Sequence, residues 1–286
     1  MELKSLQEVD LKEATFPLSR SAPSNFLPAL RTPAYLRELL QAGVLDATLS
    51  KVAVAGGHVA GCCLVLRTPL GGFVSGLGVA PLAAQQGAMR ILLDAVIAEA
   101  TAANLGSLSI ETNEADAGPQ GVFQTVGFVP VATRLRMALL RSPDRSVLPS
   151  ETADDDPAAV RAISVPVEEA LTFQTAHECL APPLGQHPDV LIKFKKRLVA
   201  AAIVQGAQPR ATVVVETDRK LVVSLCGELD PLRQIAVFAA ARLKAAFADS
   251  LLPSDPACEA LALAGFDKIA VRSELRLMLP SSPSKS

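Results

Sequence analysis

The sequence has 286 residues, of which 50% are hydrophobic and 20% are charged. A chain of this length forms about two domains of ~150 residues each, and its apolar content excludes an intrinsically disordered protein. Lys and Arg total 27 against 29 Asp and Glu, so the formal net charge is −2 and there is no basic surplus to neutralise a nucleic-acid backbone. We therefore expect no nucleic-acid partner.

Membrane insertion and secretion are also disfavoured by the sequence. No uninterrupted apolar run reaches the ~18 residues that a membrane helix needs, and the first thirteen residues carry acids rather than a signal-peptide core. The five cysteines are an odd number and form no CxxC pair. We predict reduced cysteines in a cytoplasmic protein that contacts no membrane.

The first half of the chain reads as strands followed by helices. Two apolar segments flank Gly56-Gly57, which predicts a hairpin of strands 51–55 and 59–67 closed by these glycines. The elements predicted next are a strand over 73–80, a helix over 85–104, a strand over 107–112, a short helix over 120–125 and a strand over 131–140.

A Ser-, Pro- and Asp-rich stretch after residue 142 predicts a linker, and part of the element order recurs after it. The predicted elements are strands 211–216 and 220–226, a helix over 230–247, a strand over 250–252, a short helix over 257–264 and a strand over 269–279. The predicted organisation is a domain over 1–142, a linker over 143–157, a domain over 158–280 and a loose tail over 281–286.

The two halves carry an internal repeat. GFVPVATRLRMALL begins at Gly127 and GFDKIAVRSELRLML begins at Gly265, an offset of 265 − 127 = 138 residues. A short predicted helix precedes each Gly-Phe pair, and each following strand has an LR pair and a Met near its end. A duplicated unit is the interpretation that we favour.

Four segments of the first half occur in an order known from one protein family. They read GLGVAP over 76–81, QGAMRILL over 86–93, LSIETN over 108–113 and VFQTVGF over 122–128. Together they resemble the GNAT acyltransferase superfamily, well over 50–140 and weakly over 211–279. The resemblance implies an α/β (α+β) fold of two GNAT-like units, each a mixed, mostly antiparallel sheet flanked by helices. It also implies a monomer that packs as an internal pseudo-dimer.

The resemblance implies acetyl-CoA or another acyl-CoA as co-substrate, and no metal. A helix that begins directly after a strand offers free N–H groups to phosphates. The residues that match the family's cofactor-binding positions are Leu77, Gly78, Val79, Gln85, Gln86, Gly87, Ala88, Met89, Arg90, Asn113 and Phe123.

This sequence departs from the family pattern at several of these positions. Ala84 stands where the loop normally begins with a basic or amide residue, and Met89 stands where it has a glycine or alanine. Phe123 replaces a tyrosine that often serves as general acid, and its ring carries no transferable proton. In the second unit, acids over 228–230 occupy the start of the corresponding helix, so we predict that this unit does not bind CoA.

We expect the first unit to be an N-acyltransferase, most simply an acetyltransferase, for a small-molecule amine. Backbone N–H groups of 77–79 would polarise the thioester carbonyl, and proximity would supply much of the rate. Glu111 is the candidate base. The alternatives are a non-catalytic module that senses acyl-CoA or binds a partner, and a GNAT-fold enzyme that hydrolyses or decarboxylates acyl-CoA.

Other reactive side chains have simpler interpretations. His58 falls in a glycine turn, where solvation is expected, and the spacing from His177 to His187 matches no standard metal-ligand set. Cys62 and Cys63 lack a visible base that would make either a nucleophile. Arg134 and Arg136 share one strand face, which is either solvated or a contact for an anionic ligand.

Overall fold

The computed structural model describes residues 1–20, 32–68, 70–114, 117–148, 160–177 and 187–280. Most of the predicted linker, namely 149–157, lies outside these residues, and so do the predicted tail over 281–286 and Cys179. Within the described part of the chain, no helix combines the length and the apolar character that crossing a bilayer requires.

Two compact units make up the chain, and each takes a strand from the other half of the sequence. Unit 1 comprises Met1–Ala132 and Ser273–Ser286, and unit 2 comprises Thr133–Arg272. The end of the first half thus lies in unit 2, whereas the end of the second half lies in unit 1.

Unit 1 contains a sheet with strand order β1-β2-β3-β4-β5, followed by residues 273–278 of β12. The elements of its first 128 residues are β1 (Glu2–Ser5), α1 (Leu11–Arg20), α2 (Pro33–Gln41), β2 (Lys51–Ala55), β3 (His58–Thr68), β4 (Gly71–Val79), α3 (Pro81–Gln85), α4 (Ala88–Ala102), β5 (Ser107–Asn113) and α5 (Ala117–Thr125). The pairs β1–β2, β2–β3 and β3–β4 are antiparallel, and β4–β5 is parallel. A mixed, mostly antiparallel sheet was predicted for this unit, and the prediction is confirmed.

Helix α4 packs on one face of this sheet, against β2, β3 and β4. Its buried side chains include Leu92, Leu93 and Val96, which recur at helical spacing. Gly61 on β3 faces Leu92, because a Cβ added to it would lie 3.0 Å from Leu92 Cδ1. This close packing fixes which sheet face lies under α4.

Unit 2 has the strand order β6-β11-β10-β9-β8-β7. Its elements are most of β6 (Val129–Leu139), β7 (Val160–Val165), α6 (Val167–Ala176), α7 (Pro188–Leu191), β8 (Leu198–Gln205), β9 (Gln208–Glu216), β10 (Leu221–Gly227), α8 (Leu229–Ala241), β11 (Phe247–Leu251), α9 (Pro256–Leu263) and residues 266–272 of β12 (Phe266–Met278). A buried core formed by α8, α9 and the strands includes Val213, Ile235, Ala236 and Phe266. This order of hairpins, helix, strand, short helix and strand repeats that of unit 1.

Two predicted helices differ from the observed ones. The helix predicted over 230–247 ends at Ala241, because Lys244 adopts a left-handed φ of 57° and the chain then enters β11 at Phe247. The helix predicted over 85–104 begins at Ala88, and a separate short helix, α3, precedes it. A break in backbone conformation thus shortens both predicted helices.

The cysteines are not all reduced. Cys226 is disulfide-bonded, so the expectation of five reduced cysteines is wrong at this position. Among the described residues, Cys62, Cys63 and Cys258 have free thiols. The odd count and the absence of a CxxC motif carried no information about bonding between distant cysteines, because a disulfide depends on the fold rather than on spacing.

Candidate functional site

The candidate site of unit 1 begins where β4 separates from β5. The parallel pairing runs from Gly72 opposite Leu108 to Val74 opposite Ile110 and goes no further. The β3–β4 ladder shifts register between Leu64 and Val65, which marks a bulge in β4 at the same level. Residues 77–79 of β4 therefore continue alongside β3 while β5 diverges, and the two strands open at this point.

Two backbone N–H groups of β4 point into this opening. The Ala80 N–H donates to Ala60 O at 2.7 Å, so residue 80 faces β3. Because successive backbone groups of a strand point to opposite edges, Gly78 also faces β3, whereas Leu77 and Val79 direct their N–H groups toward the β5 side. These are the donors that the predicted polarisation of a carbonyl requires.

The start of α4 lies directly after this strand. Gly87 precedes the helix with φ 75° and ψ 18°, a left-handed conformation that favours glycine, and no side chain caps the helix start. The first N–H groups of a helix have no intrahelical acceptor. In this 15-residue helix they belong to Ala88, Met89 and Arg90. Together with the helix dipole they form an anion-binding geometry.

The side chains of the predicted loop have different environments. Gln85 and Gln86 are exposed, and Met89 is half-buried. The Arg90 Nε lies 2.8 Å from Asp94 Oδ2, and its Nη1 lies 3.5 Å from Thr125 Oγ1. Asp94 and Thr125 therefore orient the guanidinium of Arg90. A Cβ at Gly87 would meet no atom within 4 Å, so the loop is open at this point.

One face of β5 is polar along its length. A Cβ at Gly72 would meet both Leu108 and Val65, which places Leu108 on the face that carries α4. Side chains alternate along a strand, so Ser109, Glu111 and Asn113 lie on the opposite face. Ser109 is 1% exposed and Glu111 is 8% exposed. Polar side chains buried in this way usually serve a specific hydrogen-bonding or catalytic purpose.

Phe123 lies in the core of unit 1. Its ring is 1% exposed and packs edge-on against Phe128, with centroids 5.9 Å apart and an interplanar angle of 66°. The position that holds a tyrosine in the resembled family is thus filled by an apolar ring with a packing role. Phe123 therefore contributes packing and offers no group that could donate a proton.

Unit 2 has a similar opening but a different helix start. Strands β10 and β11 pair in parallel at Leu221–Phe247 and Val222–Ala248, and a register shift in β10 follows. The residue before α8 is Glu228, and Asp230 lies in the first helical turn. A hydrogen bond from Arg210 lowers the pKa of Glu228, so this carboxyl is ionised at neutral pH. Glu228 pairs with Arg210 and Asp230 with Arg233. Acidic side chains at a helix start already interact with its dipole, so they compete with a phosphate for this position.

The other reactive side chains do not form a site in the described residues. No group of three or more His, Cys, Asp and Glu that could hold a metal ion is found within those ranges. Cys62 and Cys63 are fully buried, and burial raises the pKa of the Cys63 thiol to about 12. Arg136 lies 3.8 Å from Asp249 and its guanidinium stands 5.7 Å from the centroid of the Phe247 ring, so Arg136 is part of unit 2.

Three residues of unit 1 were not singled out in the sequence. Ser109 precedes Glu111 by two positions on the same strand face, which period-2 alternation would have indicated. Gln120 on α5 donates to Thr112 Oγ1 at 3.1 Å and to Asn113 O at 2.9 Å, so it fixes the end of β5. Glu274 is 2% exposed and reaches unit 1 through β12. No local pattern connects Glu274 to Glu111.

The chain has recognisable relatives at the level of sequence family and fold. Residues 16–128 match the sequence model described as the acetyltransferase (GNAT) family. No curated protein matches the chain. A tandem GNAT protein from the clavulanic acid biosynthesis pathway is 16% identical with a TM-score of 0.70, covering 99% of this chain and 100% of its own. GCN5-related N-acetyltransferases from Sphaerobacter thermophilus and Anabaena variabilis are 15% and 12% identical, each with a TM-score of 0.63, covering 98% of this chain and 96% and 73% of theirs.

These findings confirm the resemblance seen in the sequence. Residues 16–128 match the GNAT family, and the chain as a whole shares its fold with a tandem GNAT protein. At these identities the structural relatives establish the fold, whereas the site must be argued from the residues of this chain.

Proposed function

We propose that this tandem GNAT chain is an acetyl-CoA-dependent N-acetyltransferase for a small-molecule amine, and that unit 1 is its active unit. The observation that carries the proposal is the opening between β4 and β5, into which Leu77 and Val79 direct backbone N–H groups beside the uncapped start of α4. The N–H groups in the opening complement a thioester carbonyl. The N–H groups at the start of α4 complement a pyrophosphate.

Binding of the co-substrate relies on the backbone more than on charged side chains. The N–H groups of Ala88, Met89 and Arg90 would receive the pyrophosphate, and Gly87 leaves the approach to them open. The exposed amides of Gln85 and Gln86 add neutral donors. The pantetheine arm would lie along β4 as an additional strand, with Asn113 at the far side of the opening.

The reaction then needs a polarised carbonyl and a free amine. The acceptor nitrogen attacks the thioester carbon, a C–N bond forms, and the C–S bond breaks to release the CoA thiolate. The N–H groups of Leu77 and Val79 stabilise the negative charge that develops on the carbonyl oxygen. Glu111, on the polar face of β5, takes the proton from the amine, directly or through water.

A second candidate function is favoured by one residue. Phe123 is buried against Phe128 and cannot protonate the leaving thiolate. Release of the CoA thiolate without a proton donor is slow. This fits a slow enzyme, and it also fits a module that binds acyl-CoA without turnover. Binding of acetyl-CoA with no release of thiol in the presence of amines would indicate that second function.

Isothermal titration with acetyl-CoA tests the location and the number of sites. We expect one acetyl-CoA per chain, because the acids Glu228 and Asp230 already occupy the helix start of unit 2. Gly87→Trp places an indole in the approach to the α4 N-terminus, and we expect it to weaken binding by at least about tenfold, equivalent to ~1.4 kcal/mol.

Gly56→Trp is the matched control. Gly56 has φ 58° in the β2–β3 turn and also has no atom within 4 Å of its Cβ position, so the backbone strain and the added ring are alike. We expect its affinity for acetyl-CoA to equal that of the unaltered protein. Two sites per chain, or equal affinities for Gly87→Trp and Gly56→Trp, would contradict the proposed site.

A further inference from the structure

The last residues of β5 form one wall of the opening without support from β4. Pairing between the two strands ends at Val74 opposite Ile110, so residues 111–113 of β5 have no β4 partner. Strand β12 is the neighbour on the other edge of β5. Contacts at the end of β5 therefore help to set how far this wall stands from β4.

Gln120 on α5 makes such a contact with its side-chain amide. Its Nε2 donates to Thr112 Oγ1 at 3.1 Å and to Asn113 O at 2.9 Å. A glutamine amide nitrogen carries two hydrogens, so the end of β5 uses both donors of Gln120. The two bonds hold the peptide group that follows Asn113 and the hydroxyl of Thr112.

Helix α5 gives Gln120 a fixed base. Phe123, three residues further along the helix, is 1% exposed and packs against Phe128. Residues three apart lie on the same side of a helix, so the side of α5 that carries Gln120 is anchored in the core of unit 1. Gln120 itself is half-buried. A side chain held in this way can fix the position of a neighbouring binding group.

The neighbouring group is the side chain of Asn113, whose oxygen needs a hydrogen-bond donor. Asn113 Oδ1 is buried and has no hydrogen-bond partner among the described residues. Leaving a buried oxygen without a partner costs free energy. The pantetheine arm of acetyl-CoA contains amide N–H groups, which are neutral donors that match an amide oxygen. An N–H group of this arm would complement Asn113 Oδ1.

Unit 2 has a weaker version of the Gln120 contact. Gln120 and Cys258 are related by the repeat offset, 258 − 120 = 138. The Cys258 thiol donates to Leu252 O at 3.1 Å, just after β11 ends. A thiol is a weak donor and makes one bond where the Gln120 amide makes two. Asn113 corresponds to Leu251, 251 − 113 = 138, which has no amide. The stronger contact and the amide thus occur together in the unit with the open helix start.

We propose that Gln120 is a positioning residue for the pantetheine arm of acetyl-CoA. By holding the peptide group after Asn113, it keeps Asn113 Oδ1 at the edge of the opening, where this oxygen accepts an N–H group of the arm. This inference rests on the proposed function, because it requires acetyl-CoA in the opening of unit 1. In this role Gln120 acts on binding of the arm, and the reaction itself stays with Leu77, Val79 and Glu111.

Calorimetric titration with two ligands tests this role. Acetyl-CoA contains the pantetheine arm, whereas adenosine 3′,5′-bisphosphate contains the nucleotide end without it. Gln120→Glu keeps the size of the side chain and removes both donors, because a carboxylate only accepts. We expect the Kd for acetyl-CoA to rise about fivefold, the value of one neutral hydrogen bond, and the Kd for the bisphosphate to stay within about twofold.

Gln124→Glu is the matched control. Gln124 lies one turn further along α5 and is exposed, and its side chain makes no hydrogen bond in the part of the chain that the structure describes. The change adds the same charge to the same helix. We expect both Kd values to stay within about twofold of those of the unaltered protein.

A double-variant cycle shows whether Gln120 acts through Asn113, and it uses acetyl-CoA alone. Asn113→Ala removes the accepting oxygen and should also raise the Kd about fivefold. In the Asn113→Ala protein, Gln120→Glu should then change the Kd by less than about twofold, because the oxygen that it positions is gone. A further rise of about fivefold would show independent effects and would overturn the positioning role.

The other outcomes separate this inference from the proposed function. A Kd for acetyl-CoA that is unchanged in Gln120→Glu, or that rises in step with the Kd for the bisphosphate, would overturn the role of Gln120 and leave the acetyltransferase proposal standing. No binding of acetyl-CoA to the unaltered protein would overturn the proposed function itself. If Gln120→Glu fails to fold, Gln120→Cys places the residue of the unit 2 position on α5, and the same two titrations and the same cycle decide.

Discussion

The residues at the start of α4 show how the proposed phosphate site depends on backbone geometry. Met89 is half-buried, and Arg90 is oriented by Asp94. What the loop keeps is Gly87 in a left-handed conformation and three N–H groups without intrahelical acceptors. The departures from the family motif therefore remove charge while leaving the geometry in place. We expect binding weaker than a basic loop would give, because charge-assisted contacts are about twice as strong as neutral ones.

Cys63 provides a prediction for the pH dependence of stability. Burial raises the pKa of its thiol to about 12, whereas an unfolded thiol has a pKa of ~8.5. Because the folded-state pKa is the higher one, the stabilisation is fully present below about pH 8.5 and is lost as the pH rises toward the folded-state pKa. At pH 10 the loss is about 2 kcal/mol.

Urea unfolding of the unaltered protein and of Cys63→Ala at pH 7.5 and pH 10 measures this loss. We expect the free energy of unfolding to fall less in Cys63→Ala over this range, by about 2 kcal/mol. The difference between the proteins is the relevant quantity, since other groups titrate equally in both. An equal fall in both would show that the Cys63 thiol is not buried in the native state.

Single residues also show how far the sequence could predict the site. Gly87, Leu77 and Glu111 could be proposed from motif order, because each lies in a segment that keeps the local pattern of the family. Glu274 could not be identified in this way. It is 274 − 111 = 163 residues from Glu111 and follows the repeat of the other half. Only the pairing of β5 with β12 brings the strand that carries it next to β5.

At the level of elements, the two Gly-Phe turns give a matched comparison. Gly127 and Gly265 both have φ 97°, and each opens a strand that follows a short helix. A Cβ at Gly127 would lie 3.2 Å from the flexible Leu277 Cδ1, whereas a Cβ at Gly265 would lie 2.5 Å from the backbone oxygen of Arg141. The surroundings therefore differ although the backbone strain is the same.

We expect Gly265→Ala to destabilise the protein more than Gly127→Ala. Both carry a strain of roughly 1–2 kcal/mol for a left-handed alanine. In Gly265→Ala the new Cβ also clashes with the backbone oxygen of Arg141. Moving the two backbone segments apart adds about 1–3 kcal/mol to the loss of stability. Midpoints of thermal unfolding would show this order. Equal midpoints for the two variants, or a lower midpoint for Gly127→Ala, would contradict the close approach at Arg141.

Helices and strands with a clear hydrophobic period were predicted correctly more often than the residues at which they end. The hairpin, the strand–helix–strand core of the first half and the repeat of that order were read from apolar spacing and glycines. The end of α8 was not, because the residues after Ala241 remain apolar enough to continue a helix, and the left-handed turn at Lys244 has no glycine to mark it. The end of α8 is set by tertiary structure, because the chain must enter β11 at Phe247.

For the whole molecule, the internal repeat has led to two units with different helix starts and different charges. Unit 1 has an uncapped α4 N-terminus, whereas unit 2 has acids at the start of α8 and arginines around Asp249. Each unit also contains the closing strand of the other sequence half. The closing strand of unit 1, residues 273–278 of β12, thus comes from the second copy of the repeat.

The measurement that tests the central claim most directly is the release of CoA thiol from acetyl-CoA by the purified protein, with and without an amine. We predict release that depends on the amine and that equals the amount of N-acetylated amine found by mass spectrometry. Release at the same rate without amine would indicate hydrolysis, and no release despite acetyl-CoA binding would indicate a sensor. Either result would contradict an acetyltransferase in unit 1.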